Sequence, residues 1–84
     1  MSNNYLVTFF STHHALKAEK ILKKDHENID LIPTPREISS ECGFSVLIRE
    51  SSAEPESLLK GIKFENIYTV KINSDGGKYY EKNN

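Results

Sequence analysis

The sequence predicts a small α+β domain with elements in the order β-α-β-β-α-β. Three observations carry this. Apolar and β-branched residues gather in four short runs, at 5–10, 29–33, 43–48 and 66–72. Two stretches with helical apolar spacing separate the first pair and the last pair of runs. The chain has 84 residues, room for one domain whose ordered core is expected over residues 4–73.

The first run, Tyr5-Leu-Val-Thr-Phe-Phe10, has Thr8 as its only polar residue. With neither face polar, it suits a strand in mid-sheet. Ser11 and Thr12 are good helix N-cap types. A helix is expected over residues 13–24, with Ala15, Ala18 and Leu22 on one apolar stripe. Asp25-His-Glu-Asn28 is a polar turn. In the second strand, Ile29 and Leu31 alternate with Asp30, and Pro33 cannot donate to a ladder, so this strand belongs at an edge. Residues 34–41 form a polar loop containing Pro35 and Arg36, with a turn of helix expected near Glu37.

The third strand, 43–48, is almost continuously apolar and therefore central. Ser51 or Ser52 can cap a second helix over 54–63, with Pro55 in its first turn and Leu58, Leu59 and Ile62 as its stripe. The fourth strand alternates Tyr68, Val70 and Ile72 with Thr69 and Lys71, again suiting an edge. Residues 74–84 are expected to be a loose polar tail. The order corresponds to the ferredoxin-like sandwich, an antiparallel sheet of order 4-1-3-2 with two helices on one face.

Composition excludes several function classes. Eleven basic residues stand against twelve acidic ones, a net charge of -1. A nucleic-acid sleeve would need a basic excess, so no nucleic-acid partner is expected. No apolar run is long enough to cross a membrane as a helix, and residues 1–4 do not open a secretory signal. A cytoplasmic location without a membrane partner is expected. The single cysteine, Cys42, cannot form an internal disulfide. There is no carboxylate pair, Ser-His-Asp signature or phosphate-binding glycine loop, so an independent catalytic enzyme is the least favoured class.

The topology brings Cys42, at the start of strand three, to the end of strand one and the start of helix one. Phe10, Ser11, Thr12, His13 and His14 lie there. Thiolate is the reactive form of cysteine, and helix N-termini and cationic groups favour it. His13 or His14 offers a proton acceptor and Arg36 a fixed positive charge. Gly43 permits close approach of a partner backbone. Ser39 and Ser40 add hydroxyls. The simpler reading stands beside this one. A lone cysteine in a small domain serves most often as a small buried hydrophobe. Each histidine suits a solvated first helical turn, and Arg36 suits a surface loop. Adjacent histidines diverge by about 100° on a helix, so no metal site is expected with Cys42.

Two stretches carry a family resemblance: residues 5–24, and Leu31-Ile-Pro-Thr-Pro-Arg-Glu-Ile-Ser-Ser-Glu-Cys-Gly43 with the apolar strand after it. Together they resemble the selenium/sulfur carrier-like family of small bacterial domains, over roughly residues 5–72. The run Pro-Arg-Glu-Ile-Ser-Ser-x-Cys-Gly is the specific part. By position, the resemblance singles out Pro35, Arg36, Ser39, Ser40, Cys42 and Gly43, with His14 in the helix. It implies that Cys42 accepts sulfur or selenium as a persulfide or selenopersulfide from a donor enzyme and hands it to an acceptor protein. The covalent adduct is then the only cofactor implied. A competing reading is a ligand-binding or protein-interaction module without covalent chemistry, with edge strands and the open sheet face around Tyr68 offering a homodimer surface. A redox sensor forming a mixed disulfide through Cys42 is a third.

Overall fold

The computed structural model describes residues 3–26, 28–38 and 42–83. Strand β1 (Asn3–Thr8) leads into helix α1 (Thr12–Lys23), then strands β2 (Ile29–Pro33) and β3 (Phe44–Ser51). A single helical turn α2 (Pro55–Leu58), strand β4 (Asn66–Ile72) and strand β5 (Lys78–Asn83) follow. The sheet has five strands in the order β2-β3-β1-β4-β5, and every neighbouring pair is antiparallel.

The expected four-stranded sheet is therefore not matched. Strands β1 and β3 are interior and β2 is an edge, as the sequence pattern requires, but β4 is interior too. The polar segment taken for a loose tail is β5, paired to β4 from Ile67↔Asn83 to Ile72↔Lys78. Asp75-Gly76 makes the reversal. Gly76 takes φ +88, its amide donates to Asn73 O at 3.0 Å, and the Gly77 amide donates to Asp75 Oδ1 at 2.9 Å. Positive φ is where glycine carries no Cβ penalty, and Asp-Gly is a strong hairpin signal. Removing residues 78–83 strips β4 of one ladder. We expect a lower urea midpoint and concentration-dependent aggregation by light scattering, since an interior strand becomes a bare edge.

The second helix is also shorter than the expected 54–63. Glu54 stands at the N-cap position without a side-chain cap bond. Neither Ser51 nor Ser52 takes that place. Ser51 ends β3, and its hydroxyl accepts from the Ala53 amide at 3.2 Å and donates to Ala53 O at 3.0 Å. After one turn Leu59 leaves helical geometry (φ -94, ψ 9) and Gly61 takes φ +81. The chain bends so that Leu59 is buried, with Leu58 and Ile62 packed against the core beside it.

The core lies between the sheet and the helical layer. Tyr5 and Val7 of β1, Val46 and Ile48 of β3, Ile29 of β2 and Ile67 of β4 meet Ala15, Ala18 and Leu22 of α1. Phe9, expected inside the first strand, lies just past it and is fully buried; Phe10 is exposed. Alternation places Leu6 and Thr8 on the sheet's opposite face, yet both are buried. Ile38, in the loop after β2, is buried outside the main cluster. Burial and then the negative charge of Glu37, from the same loop, raise the phenol pKa of Tyr80 on β5. No helix among the described residues is long and apolar enough to cross a membrane.

Candidate functional site around Cys42

Two connections, β1 to α1 and β2 to β3, meet at one end of the sheet. Ser11 caps α1: its extended backbone (φ -152, ψ 160) precedes the helix, and its hydroxyl accepts from the His14 amide at 3.3 Å. This is the usual means of satisfying an orphan amide in the first turn. The same hydroxyl lies 2.8 Å from His14 Nδ1. Accepting from the amide, it can give its own proton to that ring nitrogen, which leaves the ring proton on Nε2. His13 is exposed, and its ring stands 6.1 Å from that of His14, centroid to centroid.

Cys42 is only 2% exposed and belongs to the core cluster. Its thiol donates to Thr12 Oγ1 at 3.8 Å, and its Sγ accepts from the Phe44 amide at 3.4 Å. Thr12 is the first residue of α1, so the sulfur stands at the helix N-terminus that the topology implied. The burial is what the small-hydrophobe reading expects, not the accessible position that the reactive reading needs. It has a local cause in Thr34, which grips the cysteine segment from its backbone side. The Thr34 amide donates to Gly43 O at 2.9 Å, and its hydroxyl donates to Cys42 O at 3.1 Å. A hydroxyl has one proton, so the 2.7 Å contact between Thr34 and Ser45 hydroxyls uses the Ser45 proton. Ser45 is fully buried and satisfied in this way.

Sequence reasoning missed Thr34, Ser45 and the Phe44 amide. The signal was the register: Pro33 pairs with Phe44, which sets Thr34 opposite Gly43. Of the residues singled out, Cys42, Thr12, Ser11 and His14 are connected through α1's first turn. Arg36 is exposed in the turn after Pro35, whose carbonyl accepts from the Ile38 amide at 3.1 Å. Gly43 is exposed, and a Cβ placed on it would meet nothing within 4 Å. Ser39 and Ser40 lie outside the described residues. Among the described residues, no group of three or more His, Cys, Asp or Glu side chains is arranged to hold a metal ion.

The burial has a measurable consequence. Native Cys42 should react with a water-soluble aromatic disulfide at least about tenfold more slowly than it does in urea, since access requires local opening. Equal rates in both conditions would contradict this placement.

The arrangement offers one sulfur held by a weak hydroxyl contact and a backbone amide, at a helix start, with an open glycine beside it. Comparison with known proteins was made on this basis. No curated protein and no solved structure matches the chain. A family model described as "Putative Se/S carrier protein-like" matches residues 4–69, which span β1 through most of β4 and include the whole Cys42 site. The chain thus belongs to the Se/S carrier protein-like family.

Proposed function

We propose that the protein carries sulfur or selenium on Cys42. The observation that carries the reading is the sulfur's position, beside Thr12 at the start of α1 and accepting the Phe44 amide. A backbone N–H aimed at sulfur favours negative charge there, as does a helix N-terminus. Both suit a thiolate that attacks and later leaves.

In the loading step, Cys42 loses its proton and its thiolate attacks the outer sulfur of a donor protein's persulfide. The donor's inner sulfur leaves as a thiolate and takes up a proton. One sulfur atom has moved without net oxidation. In unloading, an acceptor thiolate attacks the outer sulfur on Cys42 and releases the Cys42 thiolate. Selenium follows the same course as a selenopersulfide. His14, whose ring is oriented through Ser11, is proposed to pass protons, and Arg36 to steady negative charge. Because Cys42 is buried, exchange requires the rim at Gly43 and Phe44 to open. Between transfers, the same burial keeps the adduct from small reductants.

Mass spectrometry tests this directly. After incubation with a cysteine desulfurase and cysteine, or a selenocysteine lyase and selenocysteine, Cys42 should gain the mass of one sulfur or selenium atom. Dithiothreitol should remove it once urea has opened the fold. An unmodified Cys42 under every donor, inorganic polysulfide included, would sink the carrier reading.

A further inference from the structure

A groove lies between α1 and the turn that follows α2. Its volume is about 240 Å³. Ala18, Ile21 and Ile62 give it an apolar lining, and Lys17, Lys63 and His14 line it with nitrogen-bearing side chains. No carboxylate lines it, in a chain whose overall charge is -1. Neither lysine has an ion-pair partner among the described residues, whereas Lys23 on the same helix pairs with Glu19 at 3.0 Å. The apolar surface is open to water: Ile21 is 39% and Phe10 45% exposed. The Lys63 ammonium stands 5.7 Å from the centre of the Phe10 ring, which sets Phe10 beside the groove. Gly61, at φ +81, turns the chain along its rim.

The groove and the thiol both adjoin the first turn of α1. Its lining begins at His14, two residues after Thr12, whose hydroxyl meets the Cys42 sulfur. From Thr12 to Lys17 is five residues, about 7.5 Å along the helix axis. The volume is below the roughly 300–1,000 Å³ of a typical small-ligand pocket. It accommodates one or two side chains of a protein segment better than a whole cofactor.

We infer that this groove docks an acidic segment bearing an apolar side chain, supplied by the protein that exchanges sulfur or selenium with Cys42. The inference rests on the carrier reading for the identity of that partner. Unpaired lysines flanking exposed apolar surface complement carboxylates flanking a leucine or phenylalanine. Such charge complementarity guides the approach and fixes register more than it supplies affinity. Docking here orients the partner within reach of the Cys42 rim.

The probe is a seven-residue peptide of alternating glutamate and leucine, titrated into the ¹⁵N-labelled protein, with a lysine–leucine peptide as control. Amide signals of Lys17, Ile21, Gly61 and Ile62 should shift first. The variant carrying both Lys17→Glu and Lys63→Glu should keep a dispersed spectrum and bind about tenfold more weakly. The milder Lys17→Gln with Lys63→Gln serves if the reversal unfolds the chain. Shifts centred elsewhere, no shift at all, equal binding of the two peptides, or unchanged binding by the variants would overturn the groove assignment. Loading of Cys42 by inorganic polysulfide is measured on the same samples. It needs no docking, so its failure counts against the carrier reading and leaves the groove result standing by itself.

Discussion

Phe9→Ala should cost about 3–5 kcal/mol, the range for emptying a large buried aromatic site. Phe9 is fully buried in the cluster that joins sheet and helix. Small domains lie toward the low end of the roughly 5–15 kcal/mol that holds native proteins together. The variant is therefore expected to be largely unfolded at 25 °C, with a collapsed amide spectrum and no cooperative urea transition. Phe9→Leu, which fills more of the space, should lose less and remain folded. The position has a second effect. Phe9 directly precedes Phe10 and the Ser11 cap, so its anchoring fixes where α1 begins. In the Leu variant, the signals of Thr12, His14 and Cys42 should move more than those of β5. A variant with native-like stability and unchanged helix-start signals would refute this role.

Replacing the cysteine separates chemistry from packing. Cys42→Ala should abolish loading by any sulfur or selenium donor, reducing the adduct to background in the mass spectrum. Its stability cost should be modest, about 1 kcal/mol, because one sulfur atom is lost from a packed site. Cys42→Ser should also fail to load. Its hydroxyl can turn to Thr12 or the Phe44 amide but sits in apolar surroundings, a change of about 1–3 kcal/mol. Loading that survives in either folded variant would remove Cys42 from the reaction. A cellular role that survives in both would favour the reading of the domain as an interaction module.

The arrangement of the first four strands was legible because burial writes itself into composition. Residues 5–7 and 46–48 are apolar on successive positions, as a strand covered on both faces requires. Asp30 and Pro33 likewise mark β2 as an edge. What escaped reading depends on partners distant in the chain. Residues 78–83 carry little hydrophobicity, and their strand exists because β4 offers a free ladder across the Asp75-Gly76 turn. The apolar spacing of Leu58, Leu59 and Ile62 fits a helix equally well as a bend that buries Leu59, and Gly61 decides for the bend. At the site, chain order alone was enough to bring Cys42 to the start of α1. Its burial was one of two readings the sequence left open, while the threonine eight positions earlier that bonds its carbonyl was not readable.

The two margins of the sheet are unlike its middle. On one side β2 ends in a proline and carries Asp30, tied to Arg49 at 2.8 Å. On the other, β5 presents Lys78, Glu81 and Lys82, with Glu81 facing Lys71 at 3.6 Å. Charges and a missing donor at a border work against the addition of another strand. The sheet therefore has ends that do not propagate, and concentrated solutions should resist fibre-like growth. A charge-neutral border on β5 would give that protection away.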